Sequence, residues 1–160
     1  MTHKPTQWTD ANGDQWEVRV RIKEAKRLNE AAGIDLFDPD QLKQVVEDPL
    51  QIIAMLAVAH EEQRKASEVS VEDFTGLVCS DDGRSFREAK HALAEALAVF
   101  FYSLDKRSLG ALLRKAIAAD ELIEKNALAT VEAKADEVIQ RAVTKAGTML
   151  DAAIASGGKE

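Results

Sequence analysis

The sequence predicts a mainly α protein: an N-terminal β-hairpin packed on a helical bundle, followed by a long C-terminal helix. Three observations predict this class. Apolar and polar residues alternate from Gln15 to Ile22, which is typical of a half-buried antiparallel strand. Apolar residues then recur at helical spacing through most of the chain. From Lys106 to about Ala155 there is no proline and there are only two glycines, which predicts a very long helix.

The hairpin is predicted from its turn. Gln7 to Thr9 suits a short first strand, and Asn12-Gly13 supplies the turn because both residues tolerate a positive φ. A two-stranded hairpin is marginally stable by itself, so the apolar side of its second strand must lie on helices. That side comprises Trp16, Val18, Val20 and Ile22.

A glycine ends the first predicted helix. The helix covers residues 23–32, and Gly33 is its expected C-cap. The chain then carries three large apolar residues in a short connection, which we expect to enter the core. They are Ile34, Leu36 and Phe37.

Two Asp-Pro pairs, at 38–39 and 48–49, mark the next helix starts. Each pair joins an N-cap residue to a proline that suits the first helical position. They predict helices over 39–47 and 49–67. The second is apolar almost all round, which predicts that it is the most buried helix. Further helices are expected after Ser70 and over 85–103.

The predicted organisation has three parts. Residues 1–104 form the hairpin and helical domain, and residues 105–155 form the long Ala-rich helix. That helix is either continuous or bent near residues 120–126. Residues 156–160 are expected to be a disordered tail.

The outer half of the long helix is the candidate partner-binding surface. Its apolar stripe is thin, so it cannot supply a full core alone. Packing back on its own domain, docking on a partner and pairing with another copy all remain open interpretations. The candidate residues are Ile123, Leu128, Val131, Val138, Ile139 and Met149.

Composition narrows the possible partners and compartments. The net charge of −7 argues against nucleic acid and against an anionic membrane surface. The N-terminus has no apolar run typical of a signal peptide, and no stretch approaches 18 uninterrupted apolar residues. A single cysteine, Cys79, excludes an internal disulfide. We therefore expect a soluble, cytoplasmic protein.

Groups with catalytic or metal-binding chemistry are scattered. Cys79, His60 and His91 lie on different predicted elements, without the spacing of a zinc site or a nucleophile pair. We expect no cofactor, no metal and no enzymatic activity, and we interpret Cys79 as a small core residue at a helix end. Adjacent acidic pairs are interpreted as solvated faces and caps. These pairs are Glu61-Glu62, Glu72-Asp73 and Asp81-Asp82.

Two features of the hairpin have alternative interpretations. Arg19, Arg21 and Lys23 form a basic stripe, which either meets an acidic partner or protects an exposed strand from edge pairing. Trp8 and Trp16 flank the turn. They form a cross-strand pair, cover the helical core or stack on a ligand.

Several short segments, taken in their order, resemble a known family. The pattern Trp-x-Asp-x-x-Gly-x-x-Trp-x-Val occupies Trp8 to Val18. Further segments follow it: Lys26-Arg27-Leu28, Gly33-Ile34-Asp35-Leu36, Asp48-Pro49-Leu50, the run from Val69 to Phe74, and Phe100-Phe101. This order resembles small proteins of bacteriophage and prophage tail modules, of the tail assembly chaperone kind. The resemblance covers roughly residues 8–104.

The resemblance implies a non-enzymatic helper in the cytoplasm of the host cell. Such proteins are thought to bind the tape measure protein, a long and aggregation-prone helical chain, before the tail tube forms around it. An alternative is a structural virion component or oligomeric adaptor that uses the long helix as a coiled coil. A small enzyme with an unrecognised site is the third hypothesis.

Overall fold

The computed structural model describes residues 4–79 and 82–157. The predicted class is confirmed, since the chain is mainly α with an N-terminal hairpin and a long C-terminal helix. In order, the elements are β1 (Gln7–Thr9), β2 (Gln15–Glu17), α1 (Ile22–Ala32), α2 (Pro39–Glu47), α3 (Pro49–Ala59), α4 (Glu61–Ala66), α5 (Val71–Cys79), α6 (Arg84–Ser103) and α7 (Arg107–Gly157).

The chain divides into two compact units, Met1–Ile117 and Ala118–Glu160. This division falls inside α7, later than the boundary that the sequence suggests at residue 104. Helical structure is continuous through 120–126. Helix α7 ends at Gly157, two residues into the segment expected to be a tail, and residues 158–160 lie outside the described part.

The hairpin is antiparallel and places Trp8 opposite Trp16. Its turn contains Gly13 at φ 89°, a conformation that glycine adopts without strain. The second strand is shorter than predicted because β1 offers only three residues to pair with. Ile22, predicted to be on the buried side, instead begins α1 and is 46% exposed.

The cap residues correctly predicted the end of α1 and the start of α2. Gly33 adopts the left-handed conformation after α1, at φ 66° and ψ 19°. The Asp38 and Asp48 carboxylates accept hydrogen bonds from the backbone N–H groups of Asp40 and Leu50. These bonds satisfy donors that a helix start would otherwise leave without partners.

The predicted helix over 49–67 was wrong in its continuity, because α3 and α4 are separated at His60. In an uninterrupted helix the Ala57 carbonyl would accept from the N–H of Glu61. Here it accepts two bonds from the Arg64 guanidinium, at 3.3 and 3.2 Å. A buried arginine therefore supplies a cap at the end of α3.

The core belongs to the first unit and is built on both α3 and α6, each of which is buried over about half of its residues. Helix α6 has more buried residues, many of them alanines that let neighbouring elements approach closely. Leu50 on α3 is 78% exposed, contrary to prediction. Phe37 was expected in the core and is 43% exposed, although its ring lies 5.8 Å from that of Phe101. Leu113, near the start of α7, completes this core.

Candidate functional site

The candidate surface lies on α7, in the unit that begins at Ala118. All six residues predicted from the sequence are exposed there, each by 57–67%. Successive α-helical residues are rotated by about 100°. This rotation places Leu128, Val131, Val138, Ile139 and Met149 within about 100° of one another around the helix axis, whereas Ile123 lies about 140° from Leu128 and outside that side.

The structure also shows exposed apolar residues that are not among the six candidates. Val143, Leu150 and Ile154 extend the same side toward the C-terminal end of α7. We define the α7 apolar face by its large residues: Leu128, Val131, Val138, Ile139, Val143, Met149, Leu150 and Ile154. The signal that could have found Leu150 is its spacing, since Leu150 repeats Ile139 eleven residues later, as Ile154 repeats Val143.

The residues of the basic stripe form ion pairs with acidic residues of the same chain. Arg21 pairs with Glu24 at 3.0 Å and with Glu62 at 3.2 Å, while Lys23 pairs with Glu62 at 2.7 Å. Hydrogen bonds from Lys23 and then from Arg21 lower the pKa of Glu62. Arg19 lies 3.2 Å from the Glu17 carboxylate. These ion pairs favour a structural role over the binding of an acidic partner.

The two tryptophans form a buried cross-strand pair, as one of the alternative interpretations predicts. Their ring centroids are 6.1 Å apart and their planes differ by 18°. Both indoles are buried, which leaves no open ring face for a ligand to stack on. The Trp16 indole N–H donates to the Asp10 carboxylate at 2.8 Å. The other oxygen of Asp10 accepts from the backbone N–H groups of Asn12 and Asp14, so this acid holds the turn.

His60 is a core residue with both ring nitrogens engaged. Its Nε2 accepts from the Trp8 indole at 3.0 Å, and its Nδ1 lies 2.6 Å from the Leu56 carbonyl oxygen. Since the indole only donates, the proton of the neutral ring resides on Nδ1 and is donated to Leu56. Burial lowers the pKa of His60 to about 4, and the Arg64 charge contributes in the same direction. The site suits a neutral structural histidine rather than a ligand or base.

The remaining candidate groups do not converge. Cys79 is exposed at the end of α5, so its interpretation as a core residue was wrong. His91 is half-buried on α6. Within 4–79 and 82–157, no cluster of three or more His, Cys, Asp or Glu side chains could hold a metal ion. Asp81, one member of an acidic pair, lies outside the described residues.

The sequence did not predict an ion pair between the buried Glu24 carboxylate and the half-exposed Arg21 side chain. The Glu24 side chain is buried and accepts from the backbone N–H of Arg21 at 2.8 Å, as well as from its guanidinium. Burial acts to raise the pKa of Glu24, but these bonds outweigh it and the pKa is lowered. The signal was the spacing of three residues, although arginine is not an ordinary capping residue.

Over the described ranges, no helix has both the length and the apolar character needed to cross a membrane. Comparisons of the chain with protein-family models, with characterised proteins and with solved structures find no match.

Proposed function

We propose that this chain is a non-enzymatic assembly helper of the phage tail assembly chaperone kind. It would bind apolar helical segments of a tape measure protein in the cytoplasm of the host cell. The single observation that supports the proposal is the exposed α7 apolar face, on a helix that runs from Arg107 to Gly157. Large contiguous apolar surfaces on soluble proteins are typical of sites where another molecule docks.

The physical basis is burial of apolar surface between two helices. Each square ångström of apolar surface removed from water contributes about 25 cal/mol, before the cost of association is subtracted. A helical partner presents residues at the same periodicity, so its side chains can fit between those of α7. The net charge of −7 would keep such a complex soluble through mutual repulsion between copies.

Co-expression with a tape measure segment tests the proposal. The segment should move from the insoluble to the soluble fraction and should co-purify with the chain. Ile139→Lys places a charge within the α7 apolar face and should abolish this effect. Thr130→Lys is the matched control, because nine residues correspond to two and a half turns and place the same charge on the opposite side. Equal activity of both variants would contradict binding through this face.

A structural virion component or oligomeric adaptor is the second candidate, and the length of α7 favours it, since long exposed helices commonly form coiled coils. Finished particles distinguish the two functions. A chaperone is absent from them, whereas a structural component is retained. Gene order is a further test: a tape measure gene beside this one supports the first candidate, and a metabolic operon contradicts both.

A further inference from the structure

We infer that the α7 apolar face pairs with the same face of a second copy, forming a parallel, in-register, two-stranded coiled coil over residues 128–154. This inference goes beyond the proposed function, because it identifies what covers the face when the chain stands alone. Its evidence is the period of the apolar residues and the placement of charges beside them.

The apolar residues of this segment repeat every eleven positions. Leu128, Ile139 and Leu150 form one row along the helix. The other rows follow the same interval: Ala127, Val138 and Met149; Val131, Ala142 and Ala153; Ala135 and Ala146; and Val143 and Ile154, whose row begins with the charged residue Glu132. Apolar residues at a constant interval keep one face toward a partner along its whole length, as expected for a coiled-coil seam.

A seven-residue repeat does not describe this face. Starting from Leu128 and Val131, it places apolar residues at Ala135, Val138 and Ala142 but then requires one at Lys145. An eleven-residue repeat corresponds to about 3.67 residues per turn, which gives a right-handed supercoil. The alanine rows leave room for two backbones to approach closely, and this favours a pair of thin helices over docking in a wide groove.

The charges beside the face identify a second copy as the occupant. One edge carries only basic residues between positions 128 and 149: Lys134, Arg141 and Lys145. The other side carries acidic residues in that range: Glu132, at the start of the row of Val143 and Ile154, and Asp136, just outside that row. All five side chains are exposed. The chain therefore presents complementary charges on the two sides of one apolar seam.

The placement of these charges also determines whether the two helices pair in parallel or antiparallel. When two copies pair in parallel, the basic edge of one lies beside the acidic edge of the other, because the two-fold axis runs along the helices. When they pair antiparallel, the basic edges of the two copies lie beside each other, and so do the acidic edges. Lys134 then lies near the basic residues of the second copy. Opposite charges at such positions set partner choice, and like charges disfavour the alternative.

Engineered cysteines test the pairing and its direction. A Cys79→Ser background removes the only native thiol. Leu128→Cys and Leu150→Cys, each in that background, should both give disulfide-linked dimers under mild oxidation, since facing residues in a parallel pair lie within reach. Thr130→Cys, on the opposite side of α7, should not. In a mixture of the two purified variants, only same-site dimers are expected, because 22 helical residues span about 33 Å.

Two results would overturn the inference. One is a chain without substitutions that sediments as a monomer at every concentration while the cysteine variants fail to cross-link. The other is cross-linking only between Leu128→Cys and Leu150→Cys chains, which would show antiparallel pairing. The experiment uses the chain alone, so either result would leave the tape measure proposal standing, and failure of the co-expression test would leave this inference standing.

Charge reversal tests the occupant independently. Lys134→Glu, Arg141→Glu and Lys145→Glu together should weaken self-association by at least about tenfold. Adding Glu132→Lys and Asp136→Lys to that chain should restore most of it, while the restored chain should not pair with the original one. Arg141 also pairs with Glu137 within α7, so circular dichroism should confirm equal helix content. If the chain with five substitutions self-associates as weakly as the chain with three, the charge argument is overturned.

Discussion

Trp8 and His60 lie 52 residues apart in the chain and are joined by a buried hydrogen bond of 3.0 Å from the indole Nε1–H to the imidazole Nε2. The bond ties the hairpin to the junction between α3 and α4. The Phe74 ring packs against both, with centroids 6.0 Å from Trp8 and 5.1 Å from His60. The hairpin is thus held on the helices by a polar contact inside an aromatic cluster.

Acid should destabilise the fold through His60. Its folded pKa of about 4 lies below the ordinary value of 6.5, so the unfolded chain binds the proton more tightly. The free energy of unfolding should therefore fall as the pH drops from about 6.5 to about 4, by up to about 1.4 kcal/mol per pH unit. Urea unfolding at a series of pH values measures this slope.

His60→Gln is the control for that titration, because it removes the ionisable group. The slope between pH 7 and 5 should flatten in this variant, although its stability at pH 7 should be lower. Glu24 and Glu62 have lowered pKa values, so the stability that they contribute is lost only below about pH 4.5. An unsubstituted chain with a flat profile from pH 7 to 5 would contradict the assignment.

Asp10→Ala should destabilise the hairpin by about 2–4 kcal/mol. The substitution leaves three donors without their acceptor: the Trp16 indole and the backbone N–H groups of Asn12 and Asp14. Asp14→Ala, in the same turn but exposed, should change stability by less than about 0.5 kcal/mol. Thermal unfolding followed by tryptophan fluorescence compares the two. Similar losses in both variants would show that turn propensity, not the carboxylate, holds the hairpin.

Arg64→Met should cost about 1–3 kcal/mol, because the Ala57 carbonyl loses both of its guanidinium donors. Methionine keeps much of the aliphatic stem, so the change tests the hydrogen bonds rather than the packing. Lys65→Met is the neighbouring control. It removes an exposed pair with Glu61 and should cost less than about 0.5 kcal/mol. Chemical denaturation measures the free energy of unfolding of both variants. An unchanged value for Arg64→Met would contradict the role of Arg64 as a cap.

Deletion of residues 121–160 should leave a folded protein that binds a helical partner more weakly. The compact first unit ends at Ile117, and its last buried large side chain is Leu113. The truncated chain should unfold cooperatively at a temperature near that of the full chain. Loss of cooperative unfolding would show that the deleted part of α7 is needed for the core.

A pair of adjacent leucines tests where α7 joins that core. Leu113→Ala should cost about 2–4 kcal/mol because Leu113 is fully buried. Leu112→Ala should cost less than about 1 kcal/mol, since Leu112 is half-exposed. Equal losses, measured by urea unfolding, would contradict the packing of the first turns of α7.

Local chemistry explains which parts of the fold could be predicted. Asp38-Pro39 and Gly33 act on their own neighbouring backbone, so the sequence places those helix ends correctly. The length of β2 depends on a partner strand of three residues, which alternation within β2 does not reveal. The interruption at His60 depends on where a guanidinium reaches across a helix end. Such long-range contacts have no signal in helical periodicity.

The candidate site, too, could be predicted only in part. Helical periodicity located the six candidate residues on α7 and also placed Ile154 in the stripe, yet it missed Val143 and Leu150. The stripe looks thin under a seven-residue repeat because Lys145 interrupts it. Under an eleven-residue repeat, every row of the stripe between Leu128 and Ile154 is apolar except at Glu132. Choosing between these periods required knowing that one unbroken helix covers the whole segment.

The eleven-residue interval makes the length of α7 adjustable. Eleven residues complete three turns of a slightly underwound helix and add about 16 Å. Gain or loss of one such block beyond Leu113 would leave the buried part of the protein unchanged. Every later side chain would keep its direction around the helix axis. Insertion of five or six residues would instead turn the distal rows to the wrong side. Homologous chains with α7 of different lengths should therefore differ by whole blocks.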